Sequence, residues 1–166
     1  MTFADIPAGA AIFFDANSLV YHFANEPKYG ASCTRLVKQV ELKQHSGFTS
    51  THVIGDVCHR LMTLEAINLL GWPPAGIAAR LRKHHGEIAK LNVYEQAVAR
   101  IPLLGIQVLH VTQPLIAAAA LLCRQFELLT GDALVCWFFP RSSFIPCRSY
   151  FITVSSLPTA PPLRRE

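Results

Sequence analysis

The sequence predicts an α/β fold built around a mainly parallel sheet. The run Ala11–Phe14 is short, apolar and bounded by polar residues, as expected of a strand covered on both faces. Later strands are separated by helical segments, and this order favours parallel pairing with right-handed crossovers. At 166 residues, 51% of them hydrophobic and 16% charged, the chain is expected to form one globular domain with a substantial core.

The elements follow one another with recognisable starts and stops. After the first strand, residues 15–23 combine helix-capping side chains with apolar residues at helical spacing. A long helix is predicted over residues 51–70, entered through polar caps and ended by Gly71 and two prolines. The other expected elements are an amphipathic helix (30–45), two short helices (74–101), a strand (107–111), a buried helix (114–126), a short strand (128–130) and an edge strand (151–154).

Composition excludes several classes of protein. The longest apolar stretch, residues 114–123, stops at Arg124 and is too short for a membrane span. No secretion signal is apparent, so we expect a cytoplasmic protein. The five cysteines are scattered without a CxxC pair, which argues against a disulfide framework or a structural zinc site. The net charge of +4 is compatible with a polyanionic substrate.

Two aspartates occupy similar places in the predicted order. Asp15 ends the first strand and Asp132 follows an apolar pair and a turn, so both are expected at the sheet edge where ligands bind, or else as helix caps. A third acid is either Asp56 or Glu65, which lie on opposite sides of the long helix. Position alone leaves that choice open, because either can be a solvated charge and Asp56 can pair with Arg60.

Three segments then carry a family resemblance: IFFDANSLVYHF, FTSTHVIGDVCHRLMTLEA and LLTGDALV. In this order and at these separations they resemble the PIN-domain ribonucleases, in particular the VapC-type toxins of toxin-antitoxin pairs. The resemblance spans residues 10–135, and its third motif is the most specific. It implies a PIN-like three-layer α/β/α fold, with residues 1–135 as the nuclease domain. It also favours Asp56 over Glu65, although the family commonly has glutamate at that place.

The resemblance implies a metal-dependent endoribonuclease. Asp15, Asp56 and Asp132 would be the catalytic residues and would bind Mg²⁺ or Mn²⁺, hard cations that prefer carboxylate oxygens. Thr130 and Ser50 would support the site with their hydroxyls, or would simply cap their helices. The expected partners are an RNA substrate, a cognate antitoxin protein and a second copy of the chain in a homodimer, with no membrane.

The C-terminal segment departs from the family pattern. The family has a further strand bearing an aspartate in a TxDxDF-like segment, and nothing here matches it. Residues 136–166 contain five of the eleven prolines and a single acid, Glu166, and Pro140 is expected to stop the helix begun at Asp132. We therefore interpret residues 136–166 as a divergent tail, either the product of a reading-frame change or partly disordered, with C-terminal strands altered or missing. The alternative function is an inactive PIN-derived protein that only binds antitoxin or RNA.

Three smaller features each have two interpretations. The segment 79–90 either contacts RNA phosphates or is a solvated helix face, through Arg80, Arg82, Lys83, His84, His85 and Lys90. His52, Asp56 and His59 share a stripe of the long helix, as a histidine-rich metal site or as exposed side chains without function. Met62 and Trp72 belong to a dimer or partner surface, or to the core.

Overall fold

The expected α/β class, with three layers and a mainly parallel sheet, is confirmed. A computed structural model describes residues 6–138 and the backbone of residues 152–155. Two 3-10 helices, at His85–Lys90 and Ile101–Leu104, accompany the main elements. The main elements of this part of the chain are β1 (Ala11–Phe14), α1 (Ala16–Phe23), α2 (Gly30–Glu41), β2 (Ser46–Ser50), α3 (Thr51–Leu70), α4 (Ile77–Lys83), α5 (Val93–Arg100), β3 (Ile106–Leu109), α6 (Gln113–Phe126), α7 (Thr130–Phe138) and β4 (Ile152–Ser155).

The sheet has the strand order β3-β2-β1-β4. The first three strands are parallel, with Ile12 opposite Gly47 and Gly47 opposite Ile106. All four residues of β1 are buried, because this strand lies inside the sheet with helices around it. β4 pairs antiparallel with β1 at the edge of the sheet, Ile12 lying opposite Val154. An edge strand was expected one residue earlier, so one strand of the segment 136–166 does join the sheet; the proposed reading-frame change, the Pro140 stop and the remainder of the tail lie outside the described residues.

The central strand β2 was not predicted from the sequence. Its residues, SGFTS, lack an apolar pattern, yet the strand lies between β1 and β3. Close packing explains the small residues: a Cβ on Gly47 would lie 2.5 Å from Cγ1 of Val40. Hydrogen bonding explains the polar ones, since the buried Thr49 hydroxyl donates to the Phe14 carbonyl at 3.0 Å. A strand built to fit its neighbours in this way carries little hydrophobic signal.

Helix ends follow from local capping. The long helix α3 has the predicted bounds, because Ser50 accepts a hydrogen bond from the Val53 amide and Gly71 ends the helix in a left-handed conformation (φ 64°). The second helix is shorter than predicted and ends at Glu41, followed by a turn in which Lys43 has φ 58°.

The strand expected at residues 128–130 is wrong. Glu127 ends α6 in a left-handed conformation (φ 54°), and α7 already begins at Thr130. Residues 127–129 are a tight connection between two helices that pack on each other. The pair has its own small core, formed by Leu115, Ala119, Ala133 and Leu134.

Two further groups of buried residues organise the rest of the described chain. The largest core surrounds β1, and a second one forms where α4 packs on the carboxyl-terminal half of α3. Met62 and Trp72 are partly buried against the second core, which favours the core interpretation of both residues. Among the described residues no single helix is long and apolar enough to cross a membrane, and the one pair that passes together, α6 with α7, is bent by 109°.

Candidate functional site

Asp15 lies at the carboxyl end of β1, as predicted, and is also the N-cap of α1. Its Oδ1 accepts hydrogen bonds from the Ser18 amide at 2.9 Å and from the Ser18 hydroxyl at 2.6 Å. Its Oδ2 accepts from Asn17 Nδ2 at 3.2 Å. A carboxylate offers about four lone-pair positions, so these three bonds orient the group and leave Oδ2 able to accept once more. Asp15 is thus held rigidly with one acceptor position still available.

Asp132 reaches the neighbourhood of Asp15 from the other end of the described chain. It lies in the first turn of α7, the helix that it was expected to begin, although the strand expected at residues 128–130 does not form. Burial raises the pKa of the Asp132 carboxyl, and the negative charge of Asp15 raises it further. The two carboxylates therefore lie close enough to repel each other when both are ionised, as carboxylates that share a cation do when the cation is absent.

The thiols beside these acids are unreactive in their ground state. Burial raises the pKa of Cys33 to about 11, with additional contributions from the charges of Asp15 and Glu26. Burial also raises the pKa of Cys136, and the charge of Asp132 adds to that effect. A thiol is nucleophilic only as the thiolate, so neither cysteine is prepared for catalysis at neutral pH.

Asp56 lies on α3 and its carboxylate points to a different partner. Oδ2 of Asp56 is 3.7 Å from Nε2 of His52, and both side chains are about half exposed. The alternative pairing with Arg60 does not occur, because Nη1 of Arg60 donates to Oδ1 of Asn17 instead. Asp56 and Arg60 are four residues apart and so share one stripe of α3, of which Arg60 contacts Asn17.

The three predicted aspartates are therefore brought together only in part. Asp15 and Asp132 interact electrostatically, while no hydrogen bond or ion pair joins Asp56 to either of them in the described residues. Within the same residues no group of three or more histidine, cysteine or acidic side chains is close enough to hold a metal ion. This finding also argues against the histidine-rich site of His52, Asp56 and His59.

Glu65 has a structural role at a different place. Both of its carboxylate oxygens accept from the Asn92 amide at 3.1 Å, and Oε2 accepts from the Val93 amide at 2.9 Å. These are free backbone donors at the start of α5, so Glu65 caps that helix from the side. Glu65 thereby ties α3 to α5 and is not part of the aspartate site.

The hydroxyl groups of Ser50 and Thr130, predicted to support the site, lie in different environments. Ser50 is buried and accepts from the Val53 amide at 3.3 Å, which confirms its capping interpretation. Thr130 is exposed and is the first residue of α7. Neither makes a hydrogen bond to the predicted acids within the described part of the chain.

Sequence reasoning missed three residues around Asp15. Asn17 and Ser18 hold its carboxylate, and Arg60 reaches it through Asn17. The capping spacing of Ser18, three residues after Asp15, was a usable signal. The approach of Arg60 was not, because it depends on how α1 packs against α3.

Comparisons with models of known protein families, with curated proteins and with solved structures find no match to this chain. What supports a function is therefore the chemistry of its own residues, together with the resemblance in its three sequence motifs.

Proposed function

We propose that this protein is a metal-dependent endoribonuclease, the toxin of a toxin-antitoxin pair of the VapC type. The observation that carries the proposal is the electrostatic interaction between Asp15, at the carboxyl end of β1, and Asp132, in the first turn of α7. Two acids from distant segments, the pKa of one raised by burial and by the charge of the other, are unfavourable for stability alone. Such a pair is explained by a ligand that needs both charges.

The donor set fits a divalent ion of the Mg²⁺ or Mn²⁺ type. These ions prefer oxygen ligands and are commonly held by one or two carboxylates with water and substrate phosphate completing the shell. Asp15 and Asp132 would hold the ion. When bound, it would activate a water molecule and neutralise charge on the scissile phosphate.

The remaining residues have defined tasks in this proposal. Asn17 and Ser18 orient the Asp15 carboxylate, and Arg60 places a cation beside Asn17 where a phosphate oxygen would lie. Asp56 is the third acid, on α3 one turn before Arg60. Its exposed pair with His52 is weak, so the carboxylate can leave that partner at a cost of less than about 1 kcal/mol.

A second candidate is an inactive PIN-derived protein that binds antitoxin or RNA without cleaving it. The observation that favours it is the lack of a three-ligand cluster among the described residues. A misplacement of catalytic groups by about 1 Å can already reduce a rate on the order of a hundredfold. This candidate keeps the fold and loses the chemistry.

Cleavage of a mixed RNA pool by the purified full chain distinguishes the two. We expect cleavage with Mn²⁺ or Mg²⁺, none with chelator, and none for Asp15→Asn or Asp132→Asn. Glu95→Gln is the matched control, because it removes an exposed carboxylate from α5 and should cleave normally. If the wild-type chain is folded by circular dichroism and cleaves nothing with either metal, the nuclease proposal is wrong and the binding role stands.

A further inference from the structure

A dense group of basic side chains lies away from the aspartates, at the end of α4. The fourteen residues 77–90 contain four Lys or Arg and one Glu, a net charge of 4 − 1 = +3, whereas the whole chain has +4. Arg82, Lys83, His84 and His85 are all exposed, and we name these four residues the basic surface. Most of the excess positive charge of the protein is therefore concentrated on one short segment.

The charges of the basic surface are not neutralised by the protein. Two exposed lysines elsewhere in the described chain have acidic partners: Lys38 pairs with Glu41 and Lys90 with Glu87. Arg82 and Lys83 make no hydrogen bond or ion pair with any described residue, so their mutual repulsion is uncompensated. Adjacent unpaired cations on a rigid segment are suited to a polyanion.

The segment is held in a fixed shape by its neighbours. Arg80 donates from Nη1 to the carbonyl oxygens of Pro73 and Ala75, at 2.9 and 3.0 Å, and so closes the loop before α4. The His84 ring contacts the Trp72 ring, with 5.6 Å between their centroids and 58° between their planes. An exposed imidazole fixed against a partly buried indole is preorganised to stack on a base.

We propose that the basic surface binds single-stranded RNA, with Arg82 and Lys83 at phosphates and His84 at a base. The choice of RNA rests on the proposed function, which makes RNA the substrate, and on the aromatic ring among the cations. α4 packs near Ala66 of α3, ten residues beyond Asp56, which is about 15 Å along the helix axis. An RNA strand several nucleotides long can therefore span the aspartates and the basic surface.

The test is binding of a short fluorescein-labelled single-stranded RNA of mixed sequence, measured by fluorescence anisotropy with chelator present so that no cleavage occurs. The test variant is Arg82→Glu with Lys83→Glu. The matched control is Arg35→Glu with Lys38→Glu, which makes the same change in net charge on the exposed side of α2. If circular dichroism shows that the Arg82→Glu, Lys83→Glu protein is not folded, the Arg82→Gln, Lys83→Gln protein takes its place as the test variant.

For the Arg82→Glu, Lys83→Glu variant, we expect the slope of log affinity against log salt concentration to be smaller in magnitude by roughly 1.4 than for wild type, because each single-strand phosphate contact contributes roughly 0.7. If the variant and wild type bind equally at about 1 M salt, the variant should bind about 25-fold more weakly at about 0.1 M. His84→Ala should weaken binding of RNA but not of inorganic polyphosphate, which has no bases. The control should retain the wild-type slope.

Three results would overturn the proposal: equal losses in the test variant and its control, no loss in either, or binding to phosphatidylserine vesicles without binding to RNA. The nuclease proposal fails separately. A wild-type chain that binds RNA through the basic surface without cleaving it leaves the present proposal standing. If the wild-type chain cleaves RNA but the Arg82 and Lys83 substitutions do not change RNA binding, the nuclease proposal stands and the present proposal is wrong.

Discussion

Two substitutions at Asp15 separate its role as a helix cap from its role as an acid. Asparagine keeps a side-chain oxygen for the Ser18 amide but carries no charge, whereas alanine loses both properties. We expect Asp15→Asn and Asp15→Ala to be equally inactive on RNA. They should differ in stability, because only alanine leaves the start of α1 without a cap.

The size of the difference follows from the contacts. Loss of an N-cap costs about 0.5–2 kcal/mol, and the upper half applies here because the Ser18 bonds are partly buried and two in number. Both variants remove the charge that raises the pKa of Asp132, so this electrostatic effect cancels between them. Asp15→Ala should therefore unfold with a free energy about 1–2 kcal/mol below that of Asp15→Asn.

Urea denaturation followed by circular dichroism measures this difference. With a slope of about 2 kcal/mol per molar urea, the two midpoints should be about 0.5–1 M apart. Coincident midpoints would refute the reasoning, since they would show that the Asp15 oxygen does not stabilise the start of α1. A difference in slope instead of midpoint would indicate a change in the unfolded state.

Three further predictions concern stability. The pKa of Asp132 is raised in the folded chain, so the folded state binds the proton more tightly and this group destabilises it at neutral pH. As the pH falls from 7 toward 3.8, the ordinary pKa of an aspartate, the free energy of unfolding of wild type should rise relative to that of Asp132→Asn in urea titrations. A difference between the two proteins that stays constant, or a fall of wild type relative to the variant, would contradict this. Glu65→Ala should lower the free energy of unfolding by about 1–2 kcal/mol, because the Asn92 and Val93 amides lose their acceptor, without changing RNA cleavage. Loss of cleavage in a folded Glu65→Ala chain would instead place Glu65 in the site. Gly47→Ala should cost about 1–3 kcal/mol in the same assay, because its Cβ would overlap buried Val40. The control Gly55→Ala, in α3 with open space around it, should stabilise by up to about 1 kcal/mol, and equal effects at the two glycines would be evidence against the overlap.

The elements that could be predicted from the sequence were those determined by residues close to one another in the chain. Strand β1 and helix α3 were predicted with their observed bounds, because a buried apolar run, a serine cap and a terminating glycine act within a few residues. β2 escaped prediction because Gly47 and Thr49 are fitted to neighbours distant in sequence, and the strand at 128–130 was wrong because an apolar pair can equally join two helices.

In the candidate site, too, positions set by neighbouring residues were predicted, whereas contacts between distant segments were harder to predict. Asp15 was identified from its position after a strand and before a helix, which is local. The proximity of Asp132 to Asp15 was expected from their similar places in the predicted order and from the family resemblance, whereas the link from Arg60 through Asn17 was not foreseen. Contacts between segments depend on packing angles that periodicity does not encode.

Docking of the helix pair α6 and α7 brings Asp132 to Asp15. The pair has its own small core, and it joins the main core through Val135 and through the Phe138 ring, which stacks on Phe13 with 6.5 Å between centroids. During folding, Asp15 is fixed as soon as β1 and α1 form, whereas Asp132 arrives only after α6 and α7 have been synthesised and the pair has docked. A newly made molecule thus lacks the approach of Asp132 to Asp15 until this helix pair is in place, and an opening of the pair would separate the two acids again.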